Sequence, residues 1–193
     1  MKNLKNFRIV NKTEKNIIIN SLSDISTNTL TIFEKNDYIL FIELSDKGLK
    51  NNFPIIFLVP TYLNKTIDKL GEKESIVSAG IYFGFIKKNQ FRLSLEGAEF
   101  LLNLNLFPEN HLAIVDNEGE KAILYGNHLL GKMIIKISNE VKKNDFLLVF
   151  NHSNELICIA RSQVDFEEFK NLKANEIVAF NLIDKGYYLR KKQ

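Results

Sequence analysis

The stretch Val115 to Met133 constrains this chain more than any other, because two incompatible structures compete for it. Gly126-Asn127-His128-Leu129-Leu130-Gly131-Lys132 spells G-x-x-x-x-G-K, the phosphate-cradling loop of nucleotide hydrolases short of its last residue. Such a loop needs small inner residues for close backbone approach, a hydroxyl after the lysine to hold Mg²⁺, and a helix to follow. Here the inner residues are bulky, Met133 stands in the hydroxyl position, and Ile134-Ile135-Lys136-Ile137 favours a strand. The alternative is a short helix from Glu118 to Tyr125. Asp116 and Asn117 supply caps, and acidic residues lie at its positive end. Gly126 sits where a left-handed residue stops a helix, and a strand follows. The residue chemistry favours the second reading over a nucleotide site.

A chain of 193 residues accommodates one domain or two small ones. It has no run of 18 apolar residues, which argues against a membrane span. The first eight residues lack the apolar core of a signal peptide, so a cytoplasmic location is expected. The single Cys158, in a strand-like apolar run, reads as an inert core thiol. Net charge is +3; residues 1–109 hold 14 basic and 12 acidic groups, residues 110–193 hold 12 and 11. Neither half is strongly basic, so any nucleic-acid face is a local patch.

Periodicity predicts a helix from Lys12 to Ile25, capped by Thr13. Leu30–Lys35 and Tyr38–Leu44 read as a hairpin turning at Asn36-Asp37, and Ser45–Asn52 as a loop. Pro54–Pro60 is a short strand, Thr61–Leu70 a helix ended by Gly71, and Ile76–Lys87 a long strand. That strand turns near Lys88-Asn89-Gln90 and returns through Phe91-Arg92-Leu93. Ser94 caps a helix to about Leu102, and Phe107–Asn110 breaks it. The predicted domain boundary lies there, dividing 1–109 from 110–193. Strands then dominate: Leu112–Asp116, Met133–Ile137, Phe146–Phe150, Leu156–Ala160 and Ile177–Leu182, with turns at Asn144-Asp145 and His152–Asn154.

Chemistry-bearing constellations are sparse. His111, His128 and His152 lack metal-ligand spacing, and His128 reads as a structural group bonded to the turn at Asn127. No G-x-S-x-G elbow, no G-x-G-x-x-G and no pair of catalytic carboxylates is apparent. Neither a catalyst, a metal nor a cofactor is therefore expected. Phe83-Gly84-Phe85-Ile86 resembles part of the RRM signature that stacks bases on a sheet. The basic-Gly pair is missing and Lys88 replaces the distal aromatic, so a strand with one glycine at a close backbone contact is the simpler reading. Lys87, Lys88 and Arg92, beside Tyr82 and Phe91, are candidates for contacts to phosphates or bases. Arg190-Lys191-Lys192 reads as a last strand and tail, able to join a basic patch or simply to solubilise the terminus.

The strand, "VVD-x-x-x-A", short helix, glycine, strand pattern resembles the start of a PUA domain, an RNA-binding module. Leu124-Tyr125-Gly126-Asn127-His128-Leu129-Leu130, together with Ser78, Gly80, Phe83-Gly84, Lys88 and Phe91-Arg92-Leu93 upstream, resembles the Nip-seven family in its archaeal type. Ala160-Arg161-Ser162 and Asp184, Gly186, Tyr188, Arg190 fit the same pattern. The likeness is clear from Ser78 onward and loose in the N-terminal third. That family assists large ribosomal subunit biogenesis. The departures are Met133, Ile135, Glu155 and Ile157 where the family commonly carries glycine, and acidic Asp165, Glu167 and Glu168 where archaeal members are often basic.

The resemblance implies an α+β fold: an N-terminal mixed α/β domain with a mainly antiparallel sheet, followed by a C-terminal PUA β-barrel. It implies a non-catalytic factor that binds single-stranded or uridine-rich pre-rRNA and docks ribosome-assembly or RNA-processing proteins, without membrane attachment and as a monomer. Lys132, Lys136, Arg161, Ser162 and Arg190 are the expected phosphate contacts, with Tyr125, Asn127 and His128 beside them. Two rivals remain open. One is an accessory subunit or RNA-modification enzyme that carries a PUA domain. The other is a protein-interaction adaptor that has lost RNA binding.

Overall fold

The computed structural model describes residues 6–25, 29–44, 53–72, 74, 76–107 and 111–190. The chain divides into two compact units, 1–97 and 98–193. The boundary expected from sequence, between 109 and 110, falls outside the described residues, as do the loop at 45–52 and the tail after Arg190.

The first unit is built on a five-stranded antiparallel sheet whose spatial order follows the chain: β1 (Phe7–Ile9), β2 (Tyr38–Glu43), β3 (Ile55–Pro60), β4 (Ile81–Lys87) and β5 (Gln90–Leu93). Helices α1 (Lys12–Leu22) and α2 (Thr29–Lys35) connect β1 to β2, α3 (Asn64–Gly71) connects β3 to β4, and α4 (Leu95–Asn103) follows β5. Ile67 of α3 packs into a core of Phe7, Phe41, Phe57 and Val59. In another ring cluster, Phe33 of α2 meets Phe83 edge-on at 5.3 Å, and Phe83 stacks on Phe91.

Several expectations change here. Asn11, not Thr13, caps α1: its side chain accepts from the Glu14 N–H, and the Glu14 carboxylate accepts from the Asn11 N–H, a complete capping box. The predicted strand Leu30–Lys35 is the helix α2. Its β-branched Thr31 and Ile32 favour a strand by local propensity, but Thr29 and Phe33 fall four residues apart and both are buried. Packing of that face overrides propensity. Asp37 at φ 59° then ends the helix, which makes the expected hairpin turn a helix stop. β1 has no sequence prediction behind it, and β4 begins at Ile81, after Gly80 at φ 75°.

In the second unit, six strands take the order β7-β11-β10-β9-β6-β8. They are β6 (Leu112–Val115), β7 (Leu129–Leu130), β8 (Ile134–Ile137), β9 (Phe146–Phe150), β10 (Leu156–Ser162) and β11 (Ile177–Asp184). All pairs are antiparallel except β6 with β9. The two ends of this order, β7 and β8, are joined by the single 3-10 turn Gly131–Met133. The sheet therefore curls into a nearly closed barrel around Val115, Ile123, Leu129, Val149, Ile157, Ala160 and Val178. The fold is α+β, with the barrel second. Burial of Cys158 pushes its thiol well above the usual range, with the Asp184 charge adding to the effect and the Leu182 N–H opposing it. This is the inert core thiol that the sequence suggests.

The constraining stretch resolves as the helix reading requires. α5 (Asn117–Leu124) is capped by Asp116, whose carboxylate accepts from the Gly119 N–H at 2.7 Å. Gly126 follows at φ 90°. After Gly131-Lys132 come a 3-10 turn and a strand, not the helix a phosphate loop needs. Two short helices correct the sequence reading. α6 (Phe166–Phe169) is capped by Asp165, so this acid has a structural task. α7 (Tyr187–Arg190) stands where a last strand was expected.

Candidate nucleic-acid interface

Strands β7, β11, β10 and β9 lie side by side, and their register assembles a row of rings and a cation. Arg161 on β10 is the cross-strand partner of both Phe180 on β11 and Phe146 on β9. Cross-strand partners project from the same face of a sheet. The Arg161 guanidinium lies over the Phe146 ring at 4.1 Å, and the His128 ring centre is 4.9 Å from that of Phe180. The row reads His128, Phe180, Arg161, Phe146. Phe180 is 41% exposed although its neighbours Val178 and Ala179 are fully buried.

A bulge shapes the end of this row. Ile159 pairs with Ile183 and Ala160 with Asn181, which leaves Leu182 without a partner in the register. Bulges re-aim side chains, and here Phe180 and Leu182 both reach solvent while Asn181 between them is partly buried. The Asn181 amide donates to the Ile123 carbonyl at 3.3 Å, the Asn127 carbonyl at 3.2 Å and the Asp184 carboxylate at 2.9 Å. It ties the end of α5 and the 126–128 turn to β11. The Asn181 backbone N–H donates to Nδ1 of His128 at 3.3 Å. Nδ1 is thereby an acceptor, which places the proton of a neutral ring on Nε2. His128 is thus held by β11, not by the turn at Asn127 as the sequence suggested.

The predicted site residues separate into groups. Tyr125, Asn127 and His128 form an exposed turn, with Tyr125 79% accessible. Arg161 is partly buried and donates to the Asn144 carbonyl at 2.7 Å. Lys142 and Lys143, which sequence reasoning did not single out, are exposed in the same loop as Asn144. Ser162 is fully buried, with its hydroxyl donating to the Val164 carbonyl. The expectation of an exposed Ser162 is corrected, because its strand position turns it inward. Lys132 is exposed in the turn after β7, its backbone N–H donating to the Ala174 carbonyl. Lys136 is exposed on β8, at the opposite end of the strand order from β7 and β11.

Arg190 is a structural cation. It donates twice to Asp184, at 3.1 and 2.8 Å, and once to the Leu124 carbonyl. The Asp184 hydrogen bonds hold its guanidinium above its ordinary pKa against a smaller opposing effect of burial. Lys87, Lys88 and Arg92 belong to the β4–β5 hairpin of the first unit. Phe91, suggested as their stacking partner, is buried against Phe83 and unavailable to a ligand. Phe146 and Phe180 are the site residues that sequence reading missed. The signal for Phe180 was present as an aromatic among small residues in Val178-Ala179-Phe180-Asn181, but the bulge that exposes it was not. Among the described residues, no group of three or more His, Cys, Asp or Glu side chains could hold a metal, and no helix is long and apolar enough to cross a membrane.

A nearly closed barrel whose end strands β7 and β8 are joined by one turn, with a capped helix and glycine turn leading into it, defines a PUA-domain protein. The chain resembles the crystal structure of a PUA domain from Aeropyrum pernix K1, with a TM-score of 0.63 and 15% identity over 93% of this chain and 86% of that one. The model "NIP7/UPF0113, pre-PUA domain" matches residues 7–95, and "UPF0113 PUA domain" matches 111–193. The chain belongs to the NIP7/UPF0113 family. It is 30% identical over 115 residues to the UPF0113 protein of Archaeoglobus fulgidus, covering 60% of this chain and 63% of that one. It is 27% identical over 119 residues to the 60S ribosome subunit biogenesis protein nip7 of Schizosaccharomyces pombe, covering 61% and 64%. The matches thus span just under two thirds of the length of these two relatives.

Proposed function

We propose that this protein is a non-catalytic RNA-binding factor of large ribosomal subunit biogenesis, acting on pre-rRNA in the cytoplasm as a monomer beside assembly or processing proteins. The name carried by the fission yeast relative supports the pathway, and the PUA domain supports the ligand. The observation that carries the reading is the row His128, Phe180, Arg161, Phe146. Exposed rings give bases a stacking surface, and Arg161, with Lys142 and Lys143 in the neighbouring loop, offers positive charge to phosphates. Tyr125 and Asn127 before β7, and Lys132 after it, are exposed in the turns beside the strand that pairs with β11. The chemistry suits unpaired nucleotides, since every base has a ring face and duplex RNA hides it.

The test is binding of an oligouridine to the full chain over a range of salt, for wild type, Phe180→Ala and Arg161→Ala. Loss of one stacked base weakens binding on the order of tenfold. Loss of one phosphate contact lowers the salt slope by about 0.7. Wild-type affinity and salt slope in both variants would move the RNA site off this row, and no measurable binding by the wild type would favour the adaptor reading. Conversion of a nucleoside in the bound RNA would favour a modification enzyme.

A further inference from the structure

The sheet of the first unit carries a second assembly of rings and cations, built from residues that no part of the barrel supplies. Phe85 on β4 is the cross-strand partner of both Ile55 on β3 and Arg92 on β5, so all three project from one face. Lys87, two residues along β4, shares that face and pairs with Gln90. Phe53, just before β3, stacks on Phe85 with ring centres 5.7 Å apart and planes 27° from parallel. The Lys87 ammonium lies 4.5 Å from the centre of the Phe53 ring. Arg92 and Lys88 are exposed, and Phe53, Phe85 and Lys87 are partly exposed.

This arrangement exists because β4 and β5 are pressed together. Gly84 is at φ 153°, and a Cβ there would collide with the Arg92 carbonyl and the Phe91 ring. The close approach seats Phe91 and Phe83 in the buried ring stack. Ile56 pairs with Gly84 and Phe57 with Tyr82, so Phe83 is the bulged residue of β4 and joins Phe91 out of alternation, while Phe85, Lys87 and Arg92 keep the opposite side. Lys88 and Asn89, both at positive φ, close the hairpin and hold Lys88 beside Lys87. Three cations, Lys87, Lys88 and Arg92, therefore lie around the Phe53–Phe85 pair.

We infer that the Phe53–Phe85 pair with Lys87, Lys88 and Arg92 is a second binding site for single-stranded RNA, separate from the row on the barrel. The inference rests on the reading that the ligand of this chain is RNA. The rings offer stacking area, and the three cations flank them as phosphates would require. The acid in the same cross-strand row, Glu43, lies at the far end beyond Ile55 and has a partner of its own. An acidic protein segment would also meet the cations, but the stacked rings between them favour a ligand that alternates flat bases with phosphates.

The experiment uses the full chain and a 4-thiouridine-substituted oligouridine, with crosslinked residues mapped by mass spectrometry. Binding is measured in parallel for wild type, Lys87→Ala/Arg92→Ala and Phe53→Leu, and for an abasic oligomer of equal length. The first variant changes solvent-facing groups, and Phe53→Leu keeps an apolar side chain, so a thermal melt shows whether each still folds. The inference expects crosslinks at Phe53 or Phe85, and affinity on the order of tenfold weaker in Phe53→Leu. It expects a salt slope shallower by about 1.4 in the double variant, 0.7 for each lost contact. It expects the abasic oligomer to be indifferent to Phe53→Leu. Crosslinks confined to the barrel row, with both variants binding as wild type does, overturn this site and leave the barrel reading intact. Absence of crosslinks from both units, with no measurable affinity, overturns both. Wild-type RNA binding combined with loss of a protein partner in the double variant assigns the face to that partner and overturns the RNA site.

Discussion

Arg190 grips the carboxylate of Asp184 with both of its terminal nitrogens, at 3.1 and 2.8 Å, while the Asp184 side chain is only 3% exposed. A buried carboxylate is tolerated when it is paired and hydrogen-bonded. Asp184 receives a further bond from Asn181, which also holds the end of α5. Arg190→Ala should therefore destabilise the second unit by about 2 kcal/mol, below the cost of a fully buried pair because the Arg190 side chain is 38% exposed. Adding Asp184→Asn should restore part of the loss, since the orphaned charge is then removed. Urea unfolding of the two single variants and the double variant measures the coupling. Equal stability of Arg190→Ala and wild type would show the pair to be inert.

Gly126 should tolerate few replacements. Its φ of 90° is unfavourable for β-branched residues, and a Cβ there would approach the Arg190 guanidinium to about 3.0 Å. Gly126→Val should cost more than about 1 kcal/mol, and Gly126→Asn less, because Asn enters the left-handed region more readily. An unchanged unfolding midpoint for the Val variant would contradict the helix-stop role.

Much of the barrel was legible because its signals are local. Asp116, Gly126 and the β-branched run after Met133 each specify a cap, a stop or a strand by short-range chemistry. The same is true of Ser94, whose hydroxyl accepts from the Gly97 N–H at the start of α4 (Leu95–Asn103). What the sequence hid depends on distant partners. α2 is a helix because Phe33 finds Phe83 fifty residues away, and β1 is a strand because Phe7 pairs with Glu43. The candidate interface was half legible for the same reason. Arg161 and His128 stood out as residue types, but only register places Phe180 and Phe146 beside Arg161. Ser162 and Arg190 looked equally suited to phosphate until packing turned one inward and committed the other to Asp184.

Acid should weaken the first unit through a contact near its N-terminus. Glu14 accepts from Arg8 at 2.9 and 2.7 Å and from the Asn11 N–H at 2.7 Å. Burial, the largest single influence, pushes its carboxyl up, but the Arg8 and Asn11 hydrogen bonds and the Arg8 charge together bring it below the ordinary value. A carboxyl depressed in the folded state contributes stability above its unfolded pKa of about 4.3 and loses it as pH falls through the folded value. Wild type should therefore lose more stability than Glu14→Gln on going from neutral pH to below that window. Parallel curves of midpoint against pH for the two proteins would refute this.

The acidic stretch after Arg161 provides the sharpest test of the barrel face. Asp165, Glu167 and Glu168 stand where archaeal relatives are expected to be basic, yet the three are not equivalent. Asp165 accepts from the Glu168 N–H at 2.9 Å and caps α6, so its replacement confounds binding with folding. Glu167 pairs with Lys170 at 2.6 Å on an exposed surface, and such pairs contribute little to stability. Glu167 also lines an open groove with Lys142, Lys143 and the His111–Asp145 pair. Its carboxylate thus offsets the two lysines of the loop that Arg161 bonds through the Asn144 carbonyl. Glu167→Lys/Glu168→Lys should leave the unfolding midpoint within about 0.5 kcal/mol of wild type. It should tighten oligouridine binding at low salt and steepen the salt slope by up to about 1.4 if both new lysines reach phosphates. The gain should shrink as salt screens the added charge. A double variant that folds normally and binds no more tightly at any salt concentration would place the RNA path away from this groove, on the side of Phe180, His128 and Tyr125.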